Sequence, residues 1–233
     1  MMWEPDPMTT HWIAVVGNSP GVGKSTLCVA LASWLRDAGA VVDHFEEEHI
    51  LTRAQFRDVA EEFAGDGVVH PRTLVAATRS YVEHARGSGV DVLVTDALIP
   101  FVPSLVAWGQ DEPAIAEIIR DLERAVEPTR VTLVYLRDDP GVALQRAVDR
   151  EGPAWAEWYV GKLGAAPGTR SVVDLASAAE HLRREADLTL RLLAASRWDV
   201  VIADAGVADA GQIARYVRER LRGRLQDVVP SGR

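Results

Sequence analysis

Several stretches of the chain are apolar without polar alternation. "WIAVVG" (12–17), "VDVLVTD" (90–96), "RVTLVYL" (130–136) and "WDVVIAD" (198–204) are short and rich in Val, Leu and Ile. Runs of this kind suit parallel strands covered on both faces. "GAVVDHFE" (39–46) is a weaker fifth. Between the runs, apolar positions recur at helical spacing. "GKSTLCVALASWLRDAG" puts Leu27, Ala30, Leu31 and Leu35 on one stripe and ends on Gly39, a helix stop signal. "RTLVAATRSYVEHARGSG", "PAIAEIIRDLERAVEP" and "VADAGQIARYVRERLRGRL" behave likewise, and "SVVDLASAAEHLRREADLTLRLLAAS" (171–196) is a long amphipathic stretch. Strand and helix alternate throughout. The pattern predicts an α/β fold, a mainly parallel five-stranded sheet with right-handed crossovers.

The domain plan follows from the same pattern. Residues 12–226 read as a single domain, 1–11 as a flexible extension and 227–233 as a frayed tail. The start lacks a charged segment followed by an apolar run, and no apolar run reaches membrane-spanning length. The chain has 34 acidic and 25 basic residues, for a net charge of −9. That balance argues against nucleic acid and anionic lipid as partners, though not against a local basic pocket. Cys28 is the one cysteine, so no internal disulfide forms; this suits a reducing cytoplasm. The amphipathic stretch 171–196 offers a surface for a homodimer.

Chemistry enters at "GNSPGVGKST" (17–26), directly after the first run. A strand, a glycine-containing turn and a helix beginning Gly23-Lys24-Ser25-Thr26 make a phosphate cradle. Amides at the helix start point at the anion, and Gly21 and Gly23 let the main chain curl close to it. Lys24 reaches the β- and γ-phosphates, and the Ser25 hydroxyl is placed to ligate Mg²⁺. The whole loop, Asn18, Ser19, Pro20, Gly21, Val22, Gly23, Lys24, Ser25 and Thr26, is therefore expected to bind nucleotide. In the strict pattern a glycine stands where this chain has Asn18. Asn tolerates positive φ, so the turn is expected to survive.

Other candidates cluster at strand ends. Asp96 closes "VDVLVTD", where an acid can hold the Mg²⁺ shell or orient an attacking hydroxyl. Asp204 closes the last run as its rival, and "AGVADAG" after it is expected to pass the adenine ring. After the weak strand comes "FEEEHILTR". Alternation from Asp43 and Phe45 puts Glu47 on their face as an acceptor base, with Glu48 second and Arg53 as a clamp for a polar or anionic acceptor. In "LRDDPGVALQRAVDREG", Pro140 opens a helix, and Arg146 and Arg150 share one face, able to neutralise a transferring phosphoryl group. Trp155, Trp158 and Tyr159 read as packing, and "LIPFVPSLVAWG" (98–109) as an acceptor-pocket wall or a buried connection.

With these motifs in place, the chain resembles the P-loop kinases of the nucleoside and nucleotide kinase superfamily, which includes thymidylate kinases, deoxynucleoside kinases and chloramphenicol phosphotransferase. The resemblance rests on Asn18 to Thr26, Asp96, the segment from Leu136 to Gly152 and "WDVVIADAG". It implies a three-layer α-β-α P-loop NTPase fold, an arginine-bearing lid around 138–165, and transfer of the ATP γ-phosphate to a bound small molecule. It also implies that Glu47 and Asp96 occupy acid positions near the acceptor. The arginine that follows the strand-end acid in deoxynucleoside kinases is absent from Asp96-Ala97-Leu98, as is the Glu-Pro pattern after strand two. A nucleoside, a nucleotide, an amino alcohol and an antibiotic-like scaffold all stay open as acceptors. The alternative is a partner-regulated P-loop ATPase without a small-molecule acceptor; the extra lysine of the deviant loop would fall at Ser19, and no Asn-Lys-x-Asp motif is present.

Overall fold

The computed structural model describes residues 10–96 and 98–228. The remainder of the expected extension and most of the expected tail lie outside the described residues. Five parallel strands form one sheet: β1 (His11–Val16), β2 (Val42–Phe45), β3 (Val92–Asp96), β4 (Arg130–Arg137) and β5 (Asp199–Asp204), in the order β2-β3-β1-β4-β5. β1 lies at the centre with all six residues buried. It pairs with β3 on one side and β4 on the other. The strand order reverses at β1: the chain winds outward to β2 and back to β3 on one side, then crosses to β4 and β5 on the other, which opens a crevice at the carboxyl end of the sheet.

Helices cover both faces and make three layers. α1 (Lys24–Asp37) and α9 (Ala210–Arg222) pack on one face, where Ile13, Val15, Leu31, Val94, Val134 and Val217 form one core cluster. On the other face lie α2 (Arg57–Asp66), α3 (Pro71–Gly87), α4 (Val102–Ala107) and α5 (Glu112–Val126), around Trp12, Phe45, Tyr81, Leu93, Ile119 and Tyr135. Trp12 is fully buried, and its indole N–H donates to Thr95 Oγ1 at 2.8 Å. Segment 98–109 is the buried connection: Leu98, Ile99, Phe101, Val102 and Leu105 all lie in this second core.

The segment after β4 folds as α6 (Pro140–Glu151) and α7 (Pro153–Ala165), broken at Gly152, and leads to α8 (Leu175–Ala195). Leu144, Val172, Ala178, Ala179 and Leu182 form a small cluster apart from the main cores, with Trp155 and Tyr159 stacked at 4.9 Å against it. Trp158 stays 57% exposed.

Some sequence expectations change. The run 198–204 reads as buried on both faces, yet β5 is an edge strand whose Ile202 is 40% exposed; only one neighbour covers it. His11 already belongs to β1 and pairs with Asp227 (3.0 Å), so the ordered fold includes both. The apolar stripe of 171–196 is consumed inside the chain, where Ala178, Leu182, Leu192 and Leu193 are buried. No helix among the described residues is long and apolar enough to cross a membrane.

Candidate active site

After Val16 the chain curls through residues 17–23 and starts α1 at Lys24. Gly21 and Gly23 make the curl, with φ of +78° and +99°. Side chains with a Cβ resist that region by about 1–2 kcal/mol. Gly21 also abuts α6: a Cβ there would lie 3.1 Å from the Ala143 carbonyl oxygen and 3.5 Å from Ala147 Cβ. A Cβ on Gly23 would meet nothing within 4 Å.

Asn18 works differently from expectation. Among the described residues the positive-φ non-glycine is Phe101, so Asn18 is not needed for a left-handed turn. Its side chain ties the loop to other elements instead. Nδ2 donates to Glu185 Oε1 (2.8 Å) and Thr189 Oγ1 (3.0 Å), and Oδ1 accepts from the Tyr135 hydroxyl (2.7 Å). Glu185, Thr189 and Tyr135 are buried. Sequence reading missed them, although a signal existed: Glu185 and Thr189 fall within the apolar stripe that buries Ala178, Leu182 and Leu192.

The first amides of α1 have no side-chain partner. Gly23 supplies no side-chain cap, and the first turn holds no acid. Helices α5, α6, α8 and α9 are capped by Asp111, Asp139, Asp174 and Asp209, while α2, α3, α4 and α7 share the uncapped start of α1. Uncapped N-terminal amides favour a phosphate. Lys24 Nζ lies across the loop, 3.4 Å from the Ser19 carbonyl. Beneath the loop, burial pushes the Cys28 thiol far above its ordinary range, and nearby Asp96 adds to this, so it packs as a neutral side chain.

Ser25 and Asp96 meet. Asp96 pairs in register with Val15, which brings the end of β3 beside the loop. The Ser25 hydroxyl donates to Asp96 Oδ2 at 2.5 Å. Asp96 is 5% exposed, and its Oδ1 is buried with no hydrogen-bond partner among the described residues. An unpaired buried carboxylate oxygen is costly. A hydroxyl and a carboxylate oxygen side by side fit a hard divalent cation such as Mg²⁺, which prefers oxygen ligands.

On the α9 side of the loop lies a cleft of about 160 Å³, lined in part by Val22, Thr26, Leu136, Arg146, Ala205 and Ala208. Ala205, Ala208 and Ala210 of the segment after β5 thus form one wall. Arg146 forms another, its guanidinium donating to Asp138 Oδ2 at 2.6 Å. Asp138 is held in turn, with a side chain only 2% exposed. Arg150, one helical turn on, pairs with Glu151 (2.7 Å) and is 61% exposed; the structure does not bring it into the cleft with Arg146. Asp204 pairs with Arg137 at 2.6 Å.

At the end of β2 the expected alternation stops. The strand ends at Phe45, and Glu47–Leu51 form a 3₁₀ turn capped by Glu46 and His49. Glu47 therefore does not continue the face of Asp43 and Phe45. Glu47 and Glu48 are both exposed on the turn. Arg53 is not free to clamp a ligand. It bonds Asp43 through both Nη atoms at 2.6 Å each, and its guanidinium lies 4.9 Å from the centre of the Phe45 ring and 5.5 Å from that of Tyr81. Burial raises the Asp43 carboxyl, but the hydrogen bonds from Arg53 and the Tyr81 hydroxyl outweigh it and leave it below its ordinary value.

No family model and no curated protein matches the chain. Among solved structures, "Crystal structure of APE1195" aligns over 93% of this chain and 97% of its own with a TM-score of 0.53 and 14% identity. A likeness at that identity concerns the fold.

Proposed function

We propose that the protein is an ATP-dependent phosphotransferase that moves the γ-phosphate of Mg-ATP to a small-molecule acceptor. The observation that carries this reading is the Ser25–Asp96 contact at the mouth of the glycine loop, with Asp96 Oδ1 buried and without a partner among the described residues. The amides at the start of α1 and the Lys24 ammonium hold the phosphates. Ser25 and Asp96 would hold Mg²⁺, which when bound neutralises charge between the β- and γ-phosphates. The alanine-lined cleft beside Val22 and Leu136 takes the base. Arg146, which lines the same cleft and is paired with Asp138, would have to leave that pair to offset charge on the transferring group. Asp96 is the acid joined to the loop, while Glu47 and Glu48 stand exposed on the neighbouring turn, open to an acceptor arriving from solvent. The acceptor hydroxyl loses its proton to one of these carboxylates as its oxygen bonds to phosphorus and ADP departs.

³¹P NMR of Mg-ATP with the protein and a panel of hydroxyl and phosphate acceptors tests the reading. A new phosphorus resonance, phosphoester from a hydroxyl or phosphoanhydride from a phosphate, that needs both an acceptor and Lys24 supports it. Conversion to ADP and free phosphate at a rate indifferent to every acceptor overturns it in favour of a partner-regulated ATPase.

A further inference from the structure

The phosphate loop touches two neighbouring helices that belong to one body. Gly21 lies against Ala143 and Ala147 of α6. Asn18 is hydrogen-bonded to Glu185 and Thr189 of α8. Those helices are joined to each other: Leu144 of α6 packs with Ala178, Ala179 and Leu182 of α8, and Arg183 reaches Asp139 at 3.4 Å. The Asn18 amide is nearly saturated, with three of the four hydrogen bonds such a group can form. Glu185 is equally committed. One oxygen takes Asn18, and the other lies 3.4 Å from His181 Nε2 on the same helix. Thr189 Oγ1 also donates to the Glu185 carbonyl at 2.8 Å, fixing the hydroxyl that Asn18 uses.

Such a network is expensive to leave half-made. A carboxylate 4% exposed needs its donors, and removing one leaves a buried charge unpaired. A glycine at position 18, as the strict loop pattern has, would make none of these side-chain bonds. We propose that Asn18, Glu185 and Thr189 form a latch by which α8 holds the phosphate loop in its anion-binding curve, so that Glu185 is a positioning residue for the nucleotide. This rests on the nucleotide reading of the loop. The latch also ties loop geometry to the α6–α8 body that carries Arg146. Glu185 acts through Asn18 and does not touch the ligand.

The test is a double-mutant cycle on the full chain, with Mg-ATP affinity read by titration calorimetry and folding by the urea midpoint. E185M keeps the length of the side chain but removes the acceptor for Asn18; E185Q keeps a carbonyl oxygen that Asn18 can use. E185M should weaken Mg-ATP binding about tenfold, about 1.4 kcal/mol. E185Q should stay within about threefold of the parent, and N18G should lose about as much as E185M. In the N18G background, E185M should then cost no further affinity, because the latch is already open. An equal loss from E185M in both backgrounds overturns the proposal. So does an unchanged affinity in E185M, whether or not its urea midpoint falls, since that leaves a contact serving stability alone. A parent chain that binds no Mg-ATP defeats the nucleotide reading itself, and the latch with it; that result is distinct because it appears before any variant is made.

Discussion

Arg53 and Asp43 show how far a residue's surroundings alter its role. The pair is bidentate, capped by the Tyr81 hydroxyl at 3.2 Å and roofed by the Phe45 and Tyr81 rings. Asp43→Ala leaves the guanidinium without its partner in a half-buried site and should cost about 2–3 kcal/mol at neutral pH. The sign of the pH dependence follows from the Asp43 carboxyl lying below its ordinary value. Its contribution is complete above the unfolded value of about 3.9 and is lost as pH falls through the lower folded value. Urea midpoints of the parent and Asp43→Ala should therefore differ by a constant amount from pH 7 to about pH 5 and converge in more acid solution. A gap unchanged down to pH 2 contradicts the assignment.

Among the elements, the loop between β1 and α1 is bounded by α6 on one side and open on the other, and its glycines separate these effects. Gly23→Ala meets only backbone strain, about 1–2 kcal/mol. Gly21→Ala adds the approach to the Ala143 carbonyl and should cost more. Urea unfolding of the two variants measures the difference; equal losses would mean that α6 does not press on the loop. Legibility in the sequence also divides by element. β1, β3 and β4 were plain, because each is a continuous apolar run buried by neighbours on both sides. β5 carries the same kind of run but lies at an edge, a fact its sequence does not encode. β2 is an edge strand of four residues, and its early end placed Glu47 on a turn and Arg53 under the aromatic rings. α2 buries only Val59, so its core-facing stripe is a single residue wide. Within the site, Gly21 to Ser25 were legible because loop and helix start are contiguous. Asp96 was legible as a strand-end acid. Glu185 was not, since it reaches Asn18 across 167 residues of chain.

At the scale of the whole molecule, the sheet is clamped between two extensive cores, while α6, α7 and the first half of α8 share a small satellite cluster. α7 holds no fully buried residue. Fewer buried contacts mean a lower local opening energy. Amide hydrogen exchange should therefore label 153–165 well before β1 and β4, and Mg-ATP should slow exchange in α6. Equal protection of α7 and β1 would contradict a separable lid. The arrangement places the glycine loop and a buried acid at the carboxyl end of the sheet, with a less secured helical body carrying Arg146 beside them. The proposed phosphotransfer turns on the Asp96 oxygen, which has no partner among the described residues, being kept for a cation held together with a nucleoside triphosphate. The direct measurement is electron paramagnetic resonance titration of Mn²⁺, as a substitute for Mg²⁺, into the protein with and without ATP, for the parent and for Asp96→Asn. The expected result is a ternary complex in the parent that Asp96→Asn weakens about 10- to 100-fold at an unchanged urea midpoint. Equal Mn²⁺ affinity in the two proteins, in the presence of ATP, would contradict it.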